Sequence, residues 1–290
     1  MPVEAITAEL VVRYLDTWLP GALHAGRRAT FVQAWPEVID TAEAASVLRV
    51  FGEFADRMRG KNITVVLIAP EIGEARAGLP GVPAEVTVHV LAGRAETHAA
   101  AALKAAQAAK APLLLRLAGD TDALPAVRAA TIGKPAEVLL ETPAGRQPST
   151  ADLRAAGFDL VSSVELVGVE ATVAVTFGTS SAKALEAFKN ELWQLDEYAG
   201  VRIRDPRDAD AEAMDISLHP SPGPLRREIL AYLTSHGPAT VTDIRRFALT
   251  DTAFRASDAT AVLSALLAAG AVSRTPPSGR LAGDTVIARR

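Results

Sequence analysis

The sequence contains no cysteine. That excludes a disulfide scaffold, a cysteine-ligated zinc and a thiol nucleophile. It also lacks an uncharged apolar run of about 18 residues, so no membrane span is expected. Met1 to Leu15 carries Glu4, Glu9 and Arg13, which do not suit a signal peptide, and a cytoplasmic location is the expectation. His24, His89, His98, His219 and His236 never fall at the three- to five-residue spacing of metal ligands. There is no phosphate-loop Gly-Lys-Ser/Thr and no Gly-x-Ser-x-Gly elbow. His89 alternates with Val88 and Val90 and is expected to be a hydrogen-bonded sheet residue. What remains is 290 residues, 49% apolar, enough for one large or two modest globular domains.

Charge divides the chain. From Pro224 to Arg290 there are nine Lys and Arg against five Asp and Glu, whereas the preceding residues hold 21 against 29. The break coincides with His219-Pro220-Ser221-Pro222-Gly223-Pro224, which is expected to interrupt any helix or central strand. Two domains follow, residues 1–219 and 220–290.

The first part alternates strand and helix signals. Strands are predicted at Ala29–Gln33, Ile63–Ile68, Val86–Leu91, Leu113–Leu117 and Glu137–Thr142. Between them, Asp40 caps a helix running to Met58, alanine-rich Thr97–Ala111 is helical, and so is Ala123–Ile132. Ser149 caps a further helix to Ala156. Near-continuous apolar strands such as Ile63–Ile68 belong in a parallel sheet buried on both faces. Leu160–Val167 and Ala171–Thr179 are joined by Gly168-Val169-Glu170, a link too short for a parallel crossover, so the sheet closes with an antiparallel pair. Ser180 or Ser181 then opens a helix through Leu195. The predicted fold is α/β, with a Rossmann-like sheet laid out as in the S-adenosylmethionine-dependent methyltransferases. Arg202–Asp215 is expected to cross the sheet as a connecting arm.

The last part reads as three helices and a β-hairpin: Leu225–Ser235, Asp243–Ala248 capped by Thr242, a helix ending at Gly270, then Ala271–Thr275 and Thr285–Arg289 around a basic tip at Arg280. This predicts a winged-helix domain. Its third helix offers only Arg255 and Asp258 for base reading, which favours docking to protein over binding nucleic acid.

A methyltransferase-type sheet takes its cofactor at the carboxyl ends of its strands. Five residues occupy such positions and are the candidate cofactor contacts: Gln33, Trp35, Glu71, Gly93 and Gly119. Glu71 would accept from ribose hydroxyls, and Asp120 is the candidate catalytic residue facing the reacting centre, with helix capping as its alternative role. The first strand, however, runs into Gln33-Ala34-Trp35-Pro36, with no glycine between Gly26 and Gly52. Only glycine lets backbone amides approach a ligand closely there.

Phe177-Gly-Thr-Ser-Ser-Ala-Lys-Ala-Leu185, followed by Phe188-Lys189 and Leu192-Trp193-Gln-Leu-Asp196, resembles the closing segment of three-Cys-motif partner proteins. Arg13-Tyr14-Leu15-Asp16, with Trp18-Leu19-Pro20, is similar to that family's opening helix. The resemblance implies a methyltransferase-like Rossmann fold, with or without S-adenosylmethionine, and a partner resembling a radical enzyme with a three-cysteine motif. The family's glycine-rich loop is replaced here by Gln33 to Pro36, and its Asp-Pro-Phe-Gly-like stretch by Leu117-Ala118-Gly119-Asp120. A degenerate, non-catalytic member is therefore the leading expectation. An active methyltransferase and a winged-helix nucleic-acid-binding regulator are the alternatives. Of the matched residues, Leu185, Phe188, Leu192 and Trp193 are expected in the core, and Lys189 and Asp196 facing solvent.

Overall fold

The computed structural model describes residues 2–119, 122–195, 199–207 and 212–290, apart from the Arg76 side chain. A long helix, α1 (Val3–Ala25), precedes the sheet and buries Ile6, Leu10, Tyr14 and Trp18 along one stripe. Then come β1 (Arg28–Ala34), α2 (Thr41–Glu53), β2 (Asn62–Ala69), the single turn α3 (Ala75–Gly78), β3 (Val86–Ala92) and α4 (Ala95–Ala105). They are followed by β4 (Leu113–Ala118), α5 (Ala123–Ala130), β5 (Ala136–Pro143) and α6 (Thr150–Ala156). The hairpin β6 (Leu160–Val167) and β7 (Thr172–Thr179) leads into α7 (Ala182–Leu192).

These strands, with β8 (Arg202–Arg204) and β9 (Met214–Asp215), form one sheet in the order β3-β2-β1-β4-β5-β7-β6-β8-β9. β1 to β5 run parallel, and β7 enters antiparallel between β5 and β6. The α/β alternation and the closing antiparallel pair are as expected, and the fold is Rossmann-like. Strand order reverses between β1 and β4, the switch point at which open sheets of this kind take ligands. One face of the sheet packs on α1, α2 and α7, the other on α4, α5 and α6.

Local chemistry explains most boundaries. The Asp40 carboxylate accepts from Glu43 N at the start of α2, Ser149 forms a reciprocal cap with Asp152, and Ser181 caps α7. Several expected helices are shorter. α2 stops at Glu53 and a 3-10 turn, Ala55–Met58, precedes Gly60. α4 ends at Ala105 because Gln107 and Lys110 take positive φ. In the stretch Arg202–Asp215, expected to cross the sheet as a connecting arm, Arg202–Arg204 and Met214–Asp215 instead extend its edge: β8 pairs with β6, and β9 with β8.

The C-terminal module comprises α8 (Pro222–His236), β10 (Ala239–Thr240), α9 (Val241–Asp251), α10 (Ala256–Ala268), β11 (Val272–Thr275) and β12 (Val286–Arg289). Its strands order as β10-β12-β11. Pro222 and Pro224 lie in the first turn of α8 and do not hold it off, since first-turn amides lack helical acceptors anyway. Thr240, not Thr242, caps α9, in a reciprocal pair with Asp243.

The module is fastened to α7. Lys189 is 0% exposed, and its ammonium donates to the carbonyls of Ala248 at 3.3 Å, Thr252 at 2.7 Å and Phe254 at 2.8 Å. The expected solvent-facing lysine is thus a buried clasp; Asp196 lies outside the described residues. Burial pushes the Lys189 pKa down to about 7, opposed first by Glu186. Trp193 stacks on Phe254 with centroids 5.6 Å apart, and its indole donates to Ala253 O. Leu185, Phe188 and Leu192 are buried as expected.

Candidate functional site

A cleft of about 1050 Å³ opens at the carboxyl ends of β1, β4 and β5, beside the switch point and under α1 and α2. Arg116 lies at its floor. β4 reads Leu-Leu-Leu-Arg-Leu-Ala, and Arg116 shares a face with Leu114, so the guanidinium enters the layer beneath α1 and α2. Its Nε and Nη2 donate to the two carboxylate oxygens of Glu141 at 3.0 and 2.7 Å. Its Nη1 donates to Glu43 Oε2 at 3.2 Å, the oxygen that also accepts the Trp35 indole at 2.6 Å. Glu43 Oε1 lies 2.8 Å from Nη2 without the angle of a hydrogen bond.

Two carboxylates therefore share one buried guanidinium. Burial raises the Glu43 pKa; Arg116 counters this, and Glu141 reinforces it. For Arg116, burial lowers the pKa, but Glu141 and then Glu43 outweigh it and hold the group charged. Deeper, Tyr14 Oη donates to Glu137 Oε2 at 2.5 Å, and burial pushes that carboxyl up to about 7.

Of the residues expected to hold a cofactor, only some are brought together. Trp35 and Gly119 line the cleft. Gln33 lies fully buried inside β1 beside Arg116 in register, its two side-chain amide atoms without hydrogen bonds. Glu71, past the end of β2, is tied by its backbone to the stretch after β1: its N–H donates to Glu37 O and its carbonyl accepts from Ile39 N. A Cβ on Gly93 would meet the His98 ring at 2.5 Å. Gly119 has φ +85° and faces Pro36, whose ring atoms would lie 2.5 Å from an added Cβ. The close approach that glycine permits is taken by the chain itself. Asp120 lies outside the described residues. His89 is a sheet residue as expected, on β3 in register with Val66 of β2, with its side chain exposed.

Glu43, Glu141 and the central Arg116 were missed. Their signal was a lone arginine in an apolar parallel strand, and Glu137 and Glu141 at even spacing in the next. A charge in a strand covered on both faces must be paired. Among the described residues no group of His, Asp and Glu is arranged to hold a metal, and no helix is long and apolar enough to cross a membrane.

No family model matches the chain, and no curated protein matches it. Among solved structures, the crystal structure of EvdMO1 is similar over 59% of this chain at 14% identity and a TM-score of 0.33. The match spans 41% of that protein's length. So loose a likeness assigns neither family nor activity.

Proposed function

We propose that the chain is a methyltransferase-type scaffold, akin to three-Cys-motif partner proteins, that fills its own cofactor cradle and acts by holding a protein partner. The observation that carries this reading is the seating of Pro36 against Gly119, where a ligand-binding sheet would leave room for S-adenosylmethionine. The strand order β3-β2-β1-β4-β5-β7-β6, with β7 reversed, supports the methyltransferase-type scaffold. His98 against Gly93 and the backbone bridge from Glu37 to Glu71 support the filled cradle.

The C-terminal module, residues 220–290, is read as a winged helix on its order of helix, strand, two helices and two strands. α10 carries no lysine or arginine from Ala256 to Ala268, and Arg255 before it is bound to Asp258 and Leu218 O. With no basic side chain to aim at phosphates or guanine edges, that helix suits docking to protein. A partner resembling a three-Cys-motif radical enzyme follows from the resemblance.

Calorimetric titration with S-adenosylmethionine tests the reading. The expected result is no binding up to about 1 mM. A dissociation constant near 1 μM, about −8 kcal/mol, would overturn it and make the active methyltransferase the better account. Glu71→Ala would then show whether that carboxylate holds the ribose.

A further inference from the structure

We propose that the cleft under α1 and α2 binds an organic cation with an apolar body, of the alkylammonium type. This goes beyond the scaffold reading, which concerns the filled positions around Pro36 and Glu71. Open sheets take ligands at the switch point, and a cleft of about 1050 Å³ there is of small-molecule size.

Charge selects the ligand. Arg116 is the one cation at the floor, and its Nε, Nη1 and Nη2 are all directed at Glu43 and Glu141. Two carboxylates on one guanidinium leave a net negative charge in a desolvated place, so an anion is repelled and a cation attracted. The side chains of Glu43 and Glu141 are 9% and 6% exposed, so water does little to screen that charge. The rim has the same sign. Among the described residues around the floor, Glu4, Asp40 and Glu53 stand against Arg49, while Glu9 is paired with Arg13.

The walls select the rest of the molecule. Val12 from α1, Val50 from α2 and Val173 from β7 face the same space. An apolar chain lies against these walls while its ammonium group rests in the field of Glu43 and the rim carboxylates.

The test is calorimetry on the full chain with octylammonium chloride, octanol and octanoate, each below its aggregation concentration. Octylammonium is expected to bind about tenfold more tightly than octanol, with octanoate the weakest. Ala8→Trp, which fills the cleft from α1, should weaken octylammonium by about tenfold with the melting temperature retained. Glu43→Gln should erase the preference for octylammonium over octanol. If that variant fails to fold, Glu53→Gln at the exposed rim should cut the preference about threefold. Equal binding of octanol and octylammonium, tightest binding of octanoate, or octylammonium binding untouched by Ala8→Trp would each overturn the proposal. Bound S-adenosylmethionine that octylammonium displaces would sink the scaffold reading and leave this one standing.

Discussion

Replacing Glu137 by glutamine should make the protein less sensitive to pH, by an amount set by one buried proton. Glu137 sits on β5 beneath α1, is 4% exposed, and accepts a 2.5 Å hydrogen bond from Tyr14. Burial raises its pKa from 4.5 to about 7, because the charged form has lost its water and the single hydrogen bond only partly restores it. The folded chain therefore keeps a proton that the unfolded chain has released. The contribution of this proton is complete below the unfolded value of 4.5 and is lost as the pH rises through about 7. Between about pH 5 and about pH 8 the wild type should lose about 2–3 kcal/mol through this group. Glutamine has nothing to lose, and its carbonyl still accepts from Tyr14. Urea unfolding followed by tryptophan fluorescence, for both proteins at both pH values, gives the double difference. Costs independent of pH cancel in it, including any incurred by the glutamine amide, and so do titrations common to both proteins, such as that of Lys189. A gap between wild type and variant that is the same within about 0.5 kcal/mol at both pH values would refute the reasoning.

Gly119→Ala should cost about 2–4 kcal/mol, combining a left-handed backbone with a Cβ driven into the Pro36 ring. A loss below about 0.5 kcal/mol in urea unfolding would mean that Pro36 is not seated there. Trp193→Ala should cost about 3–5 kcal/mol and remove both the stack on Phe254 and the bond to Ala253 O. Hydrogen exchange should rise across residues 248–256, where Lys189 also holds the module. Unchanged exchange in that stretch would show that α7 does not fasten it.

Features set by neighbouring residues were legible along the chain. The short link after Val167, three residues as expected and four in the structure, made β6 and β7 a hairpin because no crossover fits that length. Asp40, Ser149 and the pair Ser180-Ser181, of which Ser181 caps, marked helix starts because a cap is formed within one turn. Apolar continuity placed β2 and β4 in a covered parallel sheet. Even so, Pro222 and Pro224 read as a break when they open α8, because proline is tolerated in a first turn as well as in a loop.

What lay beyond the sequence was the pairing of distant groups. Arg116 meets Glu43 from 73 residues away, and Lys189 meets Phe254 across 65. A lysine on an amphipathic helix looks solvated until another element covers it, and periodicity says nothing about which element arrives. The cleft has the same origin: Trp35 just past β1, Arg116 on β4 and Glu141 on β5 meet because the sheet sets β4 directly beside β1, although β2 and β3 separate them in the chain. Local hydrogen bonding and side-chain spacing write the elements into the sequence. Burial of charge depends on the whole packed layer, and it is that layer which turns a lone arginine in an apolar strand into the floor of a site.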